Sequence, residues 1–180
     1  PQTNRVARGA VTTLEQENDG KLWVGSVAGG LVRVGSNGVA NFSITNGLLS
    51  NEIRTLHLDA DGTLWIGTGG GGLSRLRHGQ LANFTTHQGL GDDTVSQILE
   101  DGAGNLWLGC NRGIFRVSKN ELEAVATGKS KLIHSRAFGM GEGMPVEECS
   151  GGFCPAGLKT KSGQLCFSTV KGVVMIDPQQ

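Results

Sequence analysis

The chain has no surplus of either charge: 16 Lys and Arg stand against 16 Asp and Glu over 180 residues. It therefore lacks the basic excess that marks a nucleic-acid partner. No run of apolar residues is long enough to read as a membrane span. No secretory leader pattern opens it either. It begins at Pro1 rather than at a methionine, as a processed protein or an excised piece would. Pro and Cys are scarce, four of each. That excludes a Pro-rich linker, a collagen-like chain and a disulfide scaffold. No window keeps helical periodicity for about ten residues, so a helical solenoid is excluded as well.

What the chain has is glycine, 30 residues of 180, more than twice the usual share of roughly 7%. Scattered among Val, Ile, Leu and Thr, it reads as many short strands joined by tight turns. The chain also repeats. Asp19-Gly20-Lys21-Leu22-Trp23-Val24-Gly25-Ser26, Asp61-Gly62-Thr63-Leu64-Trp65-Ile66-Gly67-Thr68 and Gly104-Asn105-Leu106-Trp107-Leu108-Gly109-Cys110 are copies of one phrase. Trp23, Trp65 and Trp107 stand 42 residues apart. Leu14, Leu56 and Ile98 keep the same step, as do Phe42 with Phe84 and Gly47-Leu48 with Gly89-Leu90. A weaker fourth copy, Gly163 to Thr169, places Cys166 where the others have Trp, 59 residues after Trp107. The extra residues fall mostly in 119–134, a polar stretch that reads as a surface insertion at the outer edge of a blade.

Within one period the pattern is β. Ile53 to Asp59 alternates apolar and polar; Ala60 to Thr63 is a turn; Leu64 to Thr68 is a second strand. Leu73 to Arg77 and Gln80 to Thr85 supply two more. Four strands in about 42 residues is one propeller blade. The fold class is all-β, with about four blades of four antiparallel strands, near 6–45, 46–87, 88–137 and 138–178. The last lacks a fourth strand after Ile176, which Arg5-Val6-Ala7-Arg8 or a partner chain could supply.

Residues Gly47 to Leu73 resemble the two-component regulator propeller repeat almost throughout. The resemblance covers three good copies (about 6–118) and one degraded copy (about 138–178). It implies a seven-bladed, non-catalytic, extracytoplasmic (periplasmic) sensor domain of a bacterial hybrid histidine kinase or diguanylate cyclase. Such domains bind ligands, often carbohydrate fragments, and signal through a β-sandwich and a membrane helix. The tail Gly172 to Pro178 resembles the family's last blade. Four blades are too few for such a ring. The chain reads as the C-terminal half of a longer propeller, as half of an eight-bladed ring closed by a second copy, or as a free four-bladed ring.

The tryptophans read as packing between blades, since they recur at one place in each. Asp59-Ala60-Asp61-Gly62 looks like the start of a calcium loop, but Gly70 stands where the closing Glu belongs, so it reads as a turn, and no metal or other cofactor is expected. The glycine runs Gly29-Gly30 and Gly69 to Gly72 lack the context of a phosphate loop. His57 alternates with apolar neighbours on the innermost strand and could line the channel. Cys149 and Cys154 could pair in an oxidising compartment or stay free; Cys110 and Cys166 read as small core residues. Loops before the first strand and after the second gather at one face near the axis and vary between blades. On this basis Arg112 leads the candidate ligand contacts, followed by Asn111, His57, His87, Asn51 and Lys171.

Two other functions compete. Streptogramin-type lyases also use propellers with a Gly-x-Leu-Trp turn and a His-centred, magnesium-dependent site, but their turn continues Trp-Phe-Thr-Glu. A structural scaffold that oligomerises through blade faces is the third reading. Expected partners are a small-molecule or carbohydrate ligand and further blades or a second copy. Nucleic acid and direct membrane insertion are not expected.

Overall fold

The computed structural model describes residues 7–36, 38–150 and 155–180. The chain is all-β, laid out as four propeller blades. Blade 1 holds β1 (Val11–Gln16), β2 (Leu22–Ser26), β3 (Gly30–Gly35) and β4 (Gly38–Phe42). Blade 2 holds β5 (Ile53–Leu58), β6 (Leu64–Thr68), β7 (Leu73–Arg77) and β8 (Gln80–Phe84). Blade 3 holds β9 (Val95–Glu100), β10 (Asn105–Cys110), β11 (Gly113–Ser118) and β12 (Arg136–Phe138), with helix α1 (Lys119–Ala126) between the last two strands. Blade 4 holds β13 (Gly157–Lys159), β14 (Leu165–Thr169) and β15 (Gly172–Ile176). Each sheet pairs its strands in chain order, antiparallel.

The strands of blade 2 fall within a residue of where the sequence puts them. Blade 4 has three strands among the described residues, also as the sequence suggests. The segment proposed to complete it gives no support: Ala7 and Arg8 are not in a strand, and Arg5 and Val6 lie outside the described residues. The insertion differs in part from expectation. It lies at the outer edge of blade 3 and is largely on the surface, as expected, but it also reaches inward: Leu122 of α1 is fully buried in the cluster formed by blades 2 and 3, with Val125 and Ala126 packed against it. The i, i+3, i+4 spacing of these three residues gives the helix one apolar face. Eight residues are too few for that signal to stand out in a sequence.

The core lies between blades. Trp23 and Leu31 of blade 1 pack with Ile53, Leu56, Leu64 and Ile66 of blade 2. Trp65 and Phe84 of blade 2 pack with Val95, Ile98 and Leu108 of blade 3. Trp107 and Ile114 of blade 3 pack with Leu165 and Phe167 of blade 4. Truncating a buried aromatic of this kind to Ala costs about 3–5 kcal/mol. The end faces stay open. Leu56 and Ile98 are buried against the preceding blade, whereas Leu14, in the same column, is 56% exposed. On the far side Leu158, Val173 and Met175 are 53, 67 and 58% exposed. A closed four-bladed ring would press these two faces together, so the four blades form an open arc. Cys166 belongs to that outer face and is half-buried, not a core residue as its strand position suggests.

The glycine two residues after each Trp is confined between the first strand of its own blade and the approach of the next blade. A Cβ on Gly67 would stand 2.5 Å from Thr55 Cγ2 and 2.8 Å from the carbonyl oxygen of Val95, the first residue of β9. Gly25 is equally confined by Ile53 and Thr13, at 2.6 Å each. Gly109 is looser, its nearest neighbour being Phe167 at 3.1 Å. Overpacking a rigid site costs about 1–3 kcal/mol. Gly67→Ala should therefore lower stability by at least that amount and Gly109→Ala by clearly less, as measured by urea denaturation. Equal losses would refute blade approach as the cause.

Candidate functional site

In a four-stranded meander, the connections before the first strand and after the second share one end of the blade. Asn51 precedes β5, His87 lies in the 3₁₀ turn Thr86–Gln88 before β9, Asn111 and Arg112 join β10 to β11, and Lys171 joins β14 to β15. The topology thus brings these five candidates to one face. His57 is not with them. It sits near the end of β5, opposite Trp65, toward the turn that joins β5 to β6.

On the loop face the side chains divide by role. Asn51 holds the loop together: its Oδ1 accepts from the Ile44 amide (2.9 Å) and its carbonyl accepts from Gly30 N (3.1 Å). Asp93, 42 residues on, repeats this by accepting from Thr86 N (2.7 Å) and, through its carbonyl, from Gly72 N (2.7 Å). Asp92 Oδ2 accepts from the Arg112 amide (3.1 Å) and so fixes the short β10–β11 loop. The Arg112 side chain, Asn111, His87 and Lys171 are exposed. Arg112 thus presents a guanidinium from a backbone that is held in place, while Asn51 is occupied by structure.

The opposite face carries a cluster that sequence reasoning missed. His57 Nε2 lies 3.3 Å from Asp59 Oδ1 and 3.4 Å from Glu100 Oε2. Lys119 Nζ, at the start of α1, lies 2.7 Å from Asp59 Oδ2 and 2.8 Å from Glu100 Oε1. Trp65 Nε1–H donates to Asp59 Oδ2 (2.9 Å). Two carboxylates from neighbouring blades therefore share an ammonium and an imidazole. Asp59 Oδ1 is buried and receives no well-directed hydrogen bond, so the proximity of His57 is its compensation. Burial works to raise the Asp59 pKa, but the contacts with His57, Lys119 and Trp65 prevail and hold it at about 2. Burial likewise works to lower the His57 pKa, but Asp59 and Glu100 raise it overall. The Lys119 pKa is also raised: burial opposes the charge, and the same two carboxylates outweigh it. His57, Asp59 and Glu100 are close enough to bind one metal ion. Lys119 already supplies the cation that their charges need, and the arrangement serves as a clamp between blades.

The remaining readings resolve as follows. Asp59 to Thr63 is a turn: Gly62 N donates to the Asp59 carbonyl (3.0 Å) and Thr63 N to Asp61 Oδ1 (3.0 Å). Cys149 is a buried free thiol whose pKa is pushed by burial to about 11, and Cys110 is buried and free as well. Cys154 lies outside the described residues.

Residues 47–70 and 89–112 match the family model described as two component regulator propeller. The matched residues fall at equivalent places in blades 2 and 3, from the turn before the first strand to the end of the second or just past it. Among solved structures, the chain is 23% identical to the extracellular domain of a hybrid two component system from B. thetaiotaomicron, with a TM-score of 0.75 over 93% of this chain and 22% of that one. A second such domain, from a one component system of the same organism, is 21% identical with a TM-score of 0.78 over 95% and 24%. Virginiamycin B lyase from Staphylococcus aureus is 15% identical, TM-score 0.64, over 98% and 57%. At these identities the likeness is one of fold. The chain spans under a quarter of the length of the two extracellular domains. No curated protein matches it. No helix of the described residues is long and apolar enough to cross a membrane.

The clamp predicts a pH dependence. A histidine whose folded pKa is raised contributes fully below its unfolded value of about 6.5 and loses that contribution as pH rises through the folded value. Stability of the wild type should therefore fall as pH rises from about 6.5, and His57→Gln should flatten that part of the profile. Thermal midpoints across a pH series measure this; an unchanged slope in the variant would refute it.

Proposed function

We propose that the chain is a non-catalytic, ligand-sensing propeller segment of an extracytoplasmic bacterial receptor of the two-component type. Its ligand, a small molecule or carbohydrate fragment, would bind at the loop face around Arg112, with Asn111, His87 and Lys171 contributing. The observation that carries this is the repeat with a variable face. Blades 2 and 3 share a family model, yet the β6–β7 loop carries Gly69 and Gly70 where the β10–β11 loop carries Asn111 and Arg112. A scaffold that repeats while its loops differ is how propellers build specificity. The extracellular domains of similar fold support the setting. The open faces of blades 1 and 4 support further blades, or a second copy, completing a ring around this arc.

The reading implies that the parent reading frame encodes a membrane helix and an output domain. Its sharper test is binding. A panel of neutral and acidic oligosaccharides should contain members that raise the thermal midpoint of the wild type. Arg112→Ala should weaken that binding about tenfold, or about 1.4 kcal/mol, and leave the unliganded midpoint within about 0.5 kcal/mol of wild type, as for a surface change. A shift that survives replacement of Arg112, Asn111, His87 and Lys171 together would overturn the placement of the site.

A further inference from the structure

Each pair of neighbouring blades leaves a groove over the tryptophan of the first blade, and the chain treats its three grooves differently. Between blades 1 and 2 the groove is a cavity of about 560 Å³, lined by Trp23, Arg33 and Phe42 on one side and Leu64, Leu76 and His78 on the other. Between blades 2 and 3 it is filled by α1, whose Leu122 joins Trp65 and Phe84 and whose Glu123 pairs with Arg75 and, at 3.9 Å, with Arg77. Between blades 3 and 4 the segment Asp177 to Gln180 leaves a cavity of about 200 Å³, lined by Trp107, Arg116, Arg136, Phe138 and Ile176.

The rows facing these grooves differ at one place. Strand pairing sets Trp23 beside Arg33 and Ala40, and Trp65 beside Arg75 and Ala82. In blade 3 the row is Trp107, Arg116, Arg136. An alanine has become a second arginine, directly opposite the first. Like charges opposite each other on paired strands are destabilising. The guanidiniums lie over aromatic rings: Arg116 is 5.7 Å from the Trp107 centroid, much as Arg33 is 5.3 Å from that of Trp23, and Arg136 is 4.9 Å from that of Phe138. No carboxylate among the described residues lies within ion-pair distance of either. In the other two grooves the column arginine does have such a partner: Glu17 for Arg33 (2.6 Å) and Glu123 for Arg75.

We propose that Arg116 and Arg136 form a binding site for a small aliphatic monocarboxylate. The two guanidiniums take the carboxylate, as Arg75 and Arg77 take that of Glu123, and planar guanidinium matches planar carboxylate. Phe138, Ile176 and the Trp107 ring flank the aliphatic end. The cavity is too small for a helix like α1. Asp177 also lines it, tied by its own hydrogen bonds from Gln179 N (3.0 Å) and Gln180 Nε2 (3.4 Å), and disfavours a second negative charge. The site lies on the outer part of the arc and does not rest on the loop-face reading.

The test is an NMR titration of the 180-residue chain, following the arginine Nε–H resonances at constant ionic strength with chloride as the balancing anion. Butyrate should shift Arg116 and Arg136 saturably, in about the millimolar range for so small a ligand. Succinate should bind more weakly than butyrate, and Asp177→Asn should narrow that gap. Arg136→Ala, which restores the residue of the other two blades, should weaken butyrate binding about tenfold while the thermal midpoint stays equal or rises. Shifts that chloride alone reproduces, saturation by phosphate without saturation by butyrate, or undiminished butyrate affinity in Arg136→Ala or Arg136→Gln would each overturn the proposal.

Discussion

The arc depends on one hydrogen bond made three times. Trp23 donates to Glu17 (2.7 Å), Trp65 to Asp59 (2.9 Å) and Trp107 to Asp101 (2.9 Å). Acceptor and donor are six residues apart each time, and both columns step by 42. The bond ties the turn after the first strand to the second strand. It also satisfies the only polar atom of a side chain whose ring the next blade covers; left unpaired in such a place, that N–H would cost about 1–3 kcal/mol. In blade 4 the pair changes together: Thr160 and Cys166 replace acid and tryptophan, Ser168 replaces the confined glycine, and Met175 stands in the arginine column. That face lacks the acid, tryptophan and glycine with which the other three blades meet their neighbours.

One methylene group explains much of the difference between the first two grooves. Glu17 reaches both Trp23 and Arg33, the latter through two bonds of 2.8 and 2.6 Å. Asp59 is shorter and accepts from Trp65 without reaching Arg75. The insertion then supplies what blade 2 lacks, with Glu123 for Arg75 and Lys119 for Asp59. A segment added between two strands thereby becomes part of the core and of the charge balance. It is also why Lys119 sits between the carboxylates of Asp59 and Glu100.

Much of this was legible in the residues. The tryptophan column located the blades, and the turn glycines located the strands of blade 2 nearly to the residue. The acid column at Glu17, Asp59 and Asp101 was legible too, but a change of residue type and the resemblance of Asp59 to a calcium loop concealed it. The site was less legible. Asn51 and Arg112 share a face by topology, yet only hydrogen bonds separate the structural Asn51 from the presented Arg112. His57 was read as an inner-strand residue, but its partner Glu100, and the Lys119 that shares its carboxylates, come from the next blade, 43 and 62 positions away in the chain.

The sequence by itself determined the repeat, the strand order within each blade and the face on which the variable loops gather, because these follow from period-two alternation, turn chemistry and a fixed 42-residue step. The tertiary structure decided what meets across blades: the burial of α1, the clamp around His57, the exposed ends of the arc, and Arg116 facing Arg136. The reason is physical. Strand pairing within a blade is local and leaves a regular trace in the chain, whereas contacts between blades join residues whose spacing depends on insertions and whose partners are chosen by reach, charge and available volume.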